Sequence, residues 1–282
     1  MTSHEENPKS IKYHVKRYLT SKADGLRGKR VVDLPAGSGV TSKLLHELGC
    51  EVRSFDLFPE YFHVEGLVCE RADVNDGIPL PEGYADVVVC QEGIEHLANQ
   101  FAAFREFNRI TKTGGSLVVT TPNYGNLRGR LSYLLGESER YLTIMPPNEV
   151  DTIWMNGQQG DGDIYFGHAF LLGMQKLRML AVINGFRIRH VQFTRVKTSN
   201  LLLFPFWYPW IVLSNWLTYR RACKKAGGRE AHLKVYREVF RWAISPQLLL
   251  DGHLFVEFEK VNKAEEAACE LRGVHLGFDE MT

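Results

Sequence analysis

The stretch that most constrains this chain is RVVDLPAGSG, residues 30–39, which runs directly into the helix-periodic TSKLLHELG. An apolar run of strand length opens into a turn holding two glycines. Leu44, Leu45 and Leu48 then share one helical face ahead of Gly49, a residue suited to a C-terminal cap. A strand, a glycine turn and a helix in that order open an α/β sheet whose ligands bind beyond the carboxyl ends of the strands. The rhythm continues with strands predicted at EVRSF (51–55), ADVVVC (85–90), SLVVTT (116–121), RIRHVQFTRV (187–196) and HLFVEFEKV (253–261). Helices are predicted over 100–111 and before Gly185, so the fold class is α/β, a mostly parallel sheet with helices on both faces. Ahead of the sheet, SIKYHVKRYL reads as an amphipathic helix that covers the sheet or its ligand cleft.

Composition narrows the function classes. With 282 residues, 44% hydrophobic and 24% charged at net charge +1, the chain is an ordinary globular sequence of one domain with insertions, or of two domains. Its basic residues are scattered apart from RRACKKAGGR (220–229), so no nucleic-acid partner is expected. Five cysteines without a CxxC pair suggest neither a disulfide framework nor a zinc knuckle. A reducing cytoplasm fits, and the polar start MTSHEENPKS lacks the pattern of a secretion signal.

The ligand follows from the residues around the turn. Gly37-Ser38-Gly39 alone is weak evidence, because glycines also serve tight turns for backbone reasons. Asp33 argues against a pyrophosphate, and Ser42 stands where a dinucleotide pattern has its third glycine. A nicotinamide dehydrogenase is therefore disfavoured. A phosphate-free, positively charged nucleoside suits both features.

VVDLPAGSG resembles motif I of the class I S-adenosylmethionine-dependent methyltransferases. The resemblance implies a Rossmann-like seven-stranded sheet with its last strand antiparallel, and S-adenosylmethionine as cofactor. Gly37, Ser38 and Gly39 then bring backbone close to the cofactor, and Asp33 helps hold its ammonium through water or the loop. Pro35 stands where the family most often has glycine, fixing φ and removing an N–H. By the same resemblance Asp56, with Leu57 after it, accepts the ribose hydroxyls. Asp73 accepts from the adenine amino group, Val74 covers it, and Gln91 and Glu92 stand beside the donor.

The stretch QEGIEH resembles the E-x-x-E-H of small-molecule and quinone-type O-methyltransferases, which makes His96 the first candidate for general base. His168, before the helix that ends in GF, is the second. A purely structural histidine remains the alternative for each. Glu92, Glu95 and His96 form an incomplete ligand set, and no metal is expected.

The expected organisation is an N-terminal helix or cap (1–29), a cofactor-binding core (30–123), an insertion acting as a lid (124–166), more core (167–197), an aromatic insertion (198–252) and a last strand with tail (253–282). Within the polar insertion and its approach, Asn123, Asn126, Arg128, Arg130, Asn156, Gln158, Gln159, Asp161 and Asp163 offer partners for acceptor hydroxyls. Residues 198–219 contain no charge, a length that spans a bilayer. A single crossing would put two strands of one sheet on opposite sides of the membrane. Pro205 and Pro209 are also expected to oppose a continuous helix.

Four readings of this segment stay open: a peripheral membrane face, a protein or homodimer interface, a substrate lid, and plain core. Phe204, Phe206, Trp207, Tyr208, Trp210, Trp216 and Tyr219 suit the first, and Arg220, Arg221, Lys224 and Lys225 suit anionic headgroups. The expected function is S-adenosylmethionine-dependent O-methylation of a small molecule, a lipid or a lipid-linked cell-envelope sugar, in the cytoplasm or at the inner face of the membrane. The rival is a cofactor-binding regulatory or adaptor protein that engages a membrane-associated enzyme through residues 198–225.

Overall fold

The computed structural model describes residues 4–154 and 165–276. In chain order the first half runs α1 (Ile11–Ser21), α2 (Ala23–Leu26), β1 (Arg30–Asp33), α3 (Val40–Glu47), β2 (Glu51–Asp56), β3 (Cys69–Arg71), β4 (Ala85–Gln91), α4 (Gln100–Ile110) and β5 (Thr111–Pro122). There follow α5 (Leu127–Gly136), β6 (Ile153–Trp154), β7 (Tyr165–Phe166), α6 (Met174–Ile183), β8 (Phe186–Val191), α7 (Thr198–Lys225), α8 (Glu230–Ala243), α9 (Pro246–Leu250), β9 (His253–Lys260) and α10 (Ala264–Leu276).

Seven strands pair in the order β3-β2-β1-β4-β5-β9-β8. The first five are parallel, and β9 runs antiparallel to both β5 and β8, so the antiparallel strand sits one place in from the edge. This is the Rossmann-like fold expected, with the chain's last strand inserted between β5 and β8.

Alternate residues of each strand feed opposite faces of the sheet. Val31, Val89, Val118 and Phe255 pack with Ile11, Val15, Leu19 and Leu45 from α1 and α3. Their neighbours Val32, Val88, Leu117, Val119 and Phe258 pack on the other face with Phe104 and Phe107 of α4 and Leu177 of α6. Complete burial of a phenylalanine contributes about 1.5–3 kcal/mol, so these two apolar layers fix which helix lies on which face.

A polar clamp orients α1. Glu257 of β9 accepts from Tyr18 Oη (2.6 Å), Lys22 Nζ (2.7 Å) and Ser116 Oγ (3.0 Å). Burial opposes its charge, but these donors hold its carboxyl below the usual range. The clamp leaves the other end of α1 over the carboxyl ends of the strands, where Lys12 reaches the cavity described below.

Three expectations need correction. Residues 198–225 form one continuous helix, α7, with Pro205 and Pro209 inside it. Each proline lacks an N–H and forfeits an intrahelical bond, yet the helix runs through both and lies against α5, α8 and α9. Strand β8 ends at Val191 rather than at Val196, which makes only an isolated bridge to Asp251. Strand β5 starts earlier than predicted, at Thr111, because Ala85 pairs with Thr111 before a bulge restores the register at Val87 and Ser116. No described helix is long and apolar enough to cross a membrane. Asn156, Gln158, Gln159, Asp161 and Asp163 lie outside the described residues.

Candidate active site

A cavity of about 990 Å³ opens at the carboxyl ends of β1, β2, β3 and β4, within the size range of small-molecule sites. Pro35, Gly37, Ser38, Asp56, Leu57, Asp73, Val74, Gln91, Glu92 and His96 lie on its wall. Asp33, Gly39 and His168 lie off it among the predicted residues.

The loop after β1 is held by backbone geometry. Ala36 N–H donates to Phe55 O (2.9 Å), and Gly37, at φ +52°, donates to Asp56 Oδ2 (2.7 Å). Asp56 Oδ1 also accepts from Phe58 N–H (2.9 Å), so this acid shapes the loop as well as the cavity. Gly37 faces open space. Gly39, at φ +85°, works differently, since a Cβ there would stand 2.4 Å from Val64 and 2.7 Å from Phe62, and its missing side chain makes room for the segment after β2. Pro35 follows a cis peptide bond and packs on Gly93, whose own Cβ would lie 2.3 Å from the proline ring.

Asp33 lies behind the loop, 1% exposed. Its Oδ2 accepts from Ser42 Oγ (2.6 Å), while Oδ1 has no hydrogen-bond partner among the described residues. Burial pushes its carboxyl up to about 7. On the wall, Asp73 is tied to Asn75 through both its backbone and side-chain N–H groups (2.8 and 2.9 Å), and Gln91 Oε1 accepts from Thr41 Oγ1 (2.8 Å).

A 3-10 turn at Ile94–His96 brings the acid and base groups together. His96 Nδ1 sits 3.0 Å from Phe166 O and 3.1 Å from Gly167 O. Carbonyls only accept, so Nδ1 is the protonated, donating nitrogen. The His168 ring lies 5.1 Å away, its Nδ1 3.3 Å from Glu139 Oε2. That contact raises His168, and the same partner first, against burial, lowers Glu139. Glu95 is fully buried and accepts from Thr121 Oγ1 (2.9 Å). One donor atom each of Glu95, His96 and His168 falls within 4.8 Å of the others, close enough to share a cation, whereas Glu92 stands outside this group. The commitments of His168 to Glu139 and of His96 Nδ1 to two carbonyls suit proton handling equally.

Several wall and support residues were not singled out one by one in the sequence, although Lys12 lies in the helix expected over the sheet or cleft and Glu139, Tyr165 and Phe166 in the insertion expected as a lid. Lys12 arrives from α1, Tyr165 and Phe166 from β7, His253 from β9 and Glu139 from the segment after α5. Each is far along the chain from the glycine loop, and only tertiary packing brings them in. Tyr165 stacks edge-on against Phe58 at 4.7 Å, so β7 rests on the loop after β2.

A family model described as a methyltransferase domain matches residues 4–191. Ubiquinone biosynthesis O-methyltransferase of Vibrio parahaemolyticus serotype O3:K6 (strain RIMD 2210633) is 28% identical over 157 residues, 52% of this chain and 64% of that protein. The enzyme of the same name from Proteus mirabilis (strain HI4320) is 30% identical over 140 residues, 46% of this chain and 56% of that one. The chain thus spans less than two thirds of these relatives. Among solved structures, an S-adenosylmethionine-dependent methyltransferase from Mesorhizobium loti superposes with a TM-score of 0.50 at 15% identity, covering 91% of this chain and all of the other. A second, from Archaeoglobus fulgidus, gives 0.51 at 15% identity over 91% and 97%.

The cofactor that this family and fold imply carries a sulfonium and an ammonium, and the residues present fit it. Asp33, Glu92 and Glu95 each hold one buried carboxyl oxygen without a hydrogen-bond partner among the described residues, Gly37 leaves open space, and Asp56 and Asp73 stand on the wall in strand order. From the matched domain, the fold and that fit, the chain belongs to the family of S-adenosylmethionine-dependent methyltransferases.

Proposed function

We propose that the chain methylates a hydroxyl group on a small, largely apolar or lipid-linked molecule, and that it works against a membrane surface. The carrying observation is the placement of His96 on the cavity wall beyond the strand ends, its ring oriented by Nδ1 donating to two carbonyls, where an imidazole can take a hydroxyl proton. S-adenosylmethionine supplies a methyl already made electrophilic by the sulfonium. Asp56 and Asp73 would hold the ribose and adenine parts, Gly37 and Ser38 would let the backbone approach, and Asp33 would act from behind the loop. His168, steadied by Glu139, would orient or relay for His96. Tyr165 and Phe166 give the acceptor end an apolar and aromatic wall that excludes water. Relatives named as ubiquinone biosynthesis O-methyltransferases support the choice of oxygen and of an apolar acceptor.

The membrane reading draws on α7. Leu202, Phe206, Trp210, Leu213 and Leu217 recur at helical spacing on its outer side, and Phe206 and Trp210 are 73% and 66% exposed. The same helix continues into the cationic cluster of Arg220, Arg221, Lys224 and Lys225. An apolar, aromatic stripe ending in cations is the composition of a helix that lies in a bilayer interface.

Incubation with S-adenosylmethionine and candidate hydroxylated quinol-like or lipid acceptors, read by mass spectrometry, tests the chemistry. S-adenosylhomocysteine should form together with an O-methylated product, and cofactor binding without product from any acceptor favours the adaptor reading. Flotation with anionic liposomes tests the surface. The intact chain should float, and Phe206→Ser with Trp210→Ser should stay behind.

A further inference from the structure

Glu92 is the residue of the cavity that the proposed proton chemistry leaves unused, and its surroundings are unusual. It directly follows β4 with φ +50°, a left-handed conformation that disfavours any residue with a Cβ. Its backbone N–H donates to Thr120 O (2.9 Å), and the next residue, Gly93, is packed under Pro35, so the turn is locked against the glycine loop. About a quarter of the side chain, 28%, is exposed at the cavity, while Oε1 is shut off from water without a hydrogen-bond partner among the described residues. Nearby cation-forming groups do not serve it. His253 Nε2 is 3.8 Å from Oε2, but burial drives that imidazole down to about 4 and keeps it neutral. His168 is engaged by Glu139, and Lys12 from α1 forms no ion pair within 4 Å among the described residues. Glu95 on the 3-10 turn is a second carboxyl, itself pushed up by burial, and Thr120 on β5 offers only a neutral hydroxyl. Burial first, and Glu95 second, push the Glu92 carboxyl up to about 8.

The order of strands says which part of the cofactor would meet this group. Asp73, Asp56, the Pro35–Gly37 loop and Glu92 stand at the ends of β3, β2, β1 and β4, which are successive neighbours in the sheet at roughly 5 Å per step. A donor with its adenine and ribose at Asp73 and Asp56 extends its charged end toward β4. Beyond Glu92 come His96 and the aromatic residues of β7.

We infer that Glu92 recognises the sulfonium, ionising when the charged donor binds and regaining its proton when the neutral thioether product takes its place. The group thereby favours substrate over product in the same pocket. This rests on the family's cofactor and is independent of the acceptor proposed above. Both ligands carry the ammonium at pH 6.5, so any effect of Asp33 through that ammonium cancels in the proton count measured there.

The test is isothermal titration of the whole chain with S-adenosylmethionine and, separately, with S-adenosylhomocysteine, without acceptor. At pH 6.5, in buffers of differing ionisation enthalpy, the sulfonium ligand should release about one proton more than the thioether. The ratio of their affinities should rise roughly tenfold between pH 6.5 and 8 and level off above that, following linkage through a single carboxyl. Glu92→Gln should flatten this rise, and the wild-type proton count needs no variant to fold. Equal proton release for the two ligands would overturn the inference, as would a pH-independent ratio in the wild type or an unchanged slope in Glu92→Gln. Failure to bind either ligand is a different outcome, and it overturns the cofactor assignment itself.

Discussion

Gly37 and Gly39 lie two residues apart in one turn, and the structure gives them separable roles. Replacing Gly39 with alanine places a Cβ at φ +85°, 2.4 Å from Val64 and 2.7 Å from Phe62. The left-handed conformation costs about 1–2 kcal/mol for a residue with a side chain, and the overlap adds about 1–3 kcal/mol of overpacking. A loss of ~3 kcal/mol should lower the unfolding midpoint by roughly 6–12 °C for a chain of this size. That loss belongs to the ligand-free protein, because the atoms in conflict are its own.

Alanine at Gly37, φ +52°, meets nothing within 4 Å. It should cost only the conformational ~1–2 kcal/mol in stability. The new methyl enters the cavity wall, however, and should weaken S-adenosylmethionine by about tenfold or more, ~1.4 kcal/mol. Thermal unfolding without ligand, followed by titration of the folded variants, reads both effects. If Gly39→Ala unfolds at the wild-type temperature while losing cofactor affinity, or Gly37→Ala binds normally, this division of roles is wrong.

Further outcomes follow from the same geometry. His96→Ala should lower turnover about 100-fold or more with S-adenosylmethionine affinity within about twofold, since general-base catalysis contributes 10²–10⁴; an unchanged kcat would remove it from the chemistry. Glu139→Gln should move the His168 pKa back down toward the ordinary imidazole value, because the carboxylate is the first cause of its rise, and NMR titration of the ring protons checks this. Glu257→Gln, which weakens the clamp on α1, should destabilise by ~2–4 kcal/mol in denaturant titrations at pH 7. A depressed carboxyl contributes stability above its unfolded value, so the wild type should lose that contribution as pH falls below about 4.5, and the variant should not.

The parts of the fold legible in the sequence were those written locally. Arg30–Gly39 announced β1, its loop and α3, because an apolar run, two glycines and a leucine stripe lie within twenty residues. The paired valines of β1, β4 and β5 likewise face both ways, as strands covered on two sides must. What was not legible depends on distant partners. Two prolines argued against α7, yet the helix runs through both, beside α5, α8 and α9 from other parts of the chain.

In the site, Asp56, Asp73, Gln91 and Glu92 were readable because they end or follow consecutive strands, and all four stand on the cavity wall. Asp33 and Gly39 belong to the same motif yet serve from behind it, Asp33 under Ser42 and Gly39 under Val64. Lys12, Glu139 and His253 were not singled out individually, even with Lys12 in the helix expected over the cleft, since single polar residues acquire meaning only when tertiary structure brings them beside Glu92 or His168.

Equilibrium titration of the purified chain with S-adenosylmethionine, beside Asp56→Ala, tests the central claim most directly. Asp56 both lines the cavity and fixes the Gly37 loop by a 2.7 Å hydrogen bond. The wild type should bind one equivalent saturably, and the variant should bind at least tenfold more weakly, ~1.4 kcal/mol. Absence of saturable binding by the wild type, or equal affinity in the folded variant, would contradict the assignment of this cavity to the cofactor.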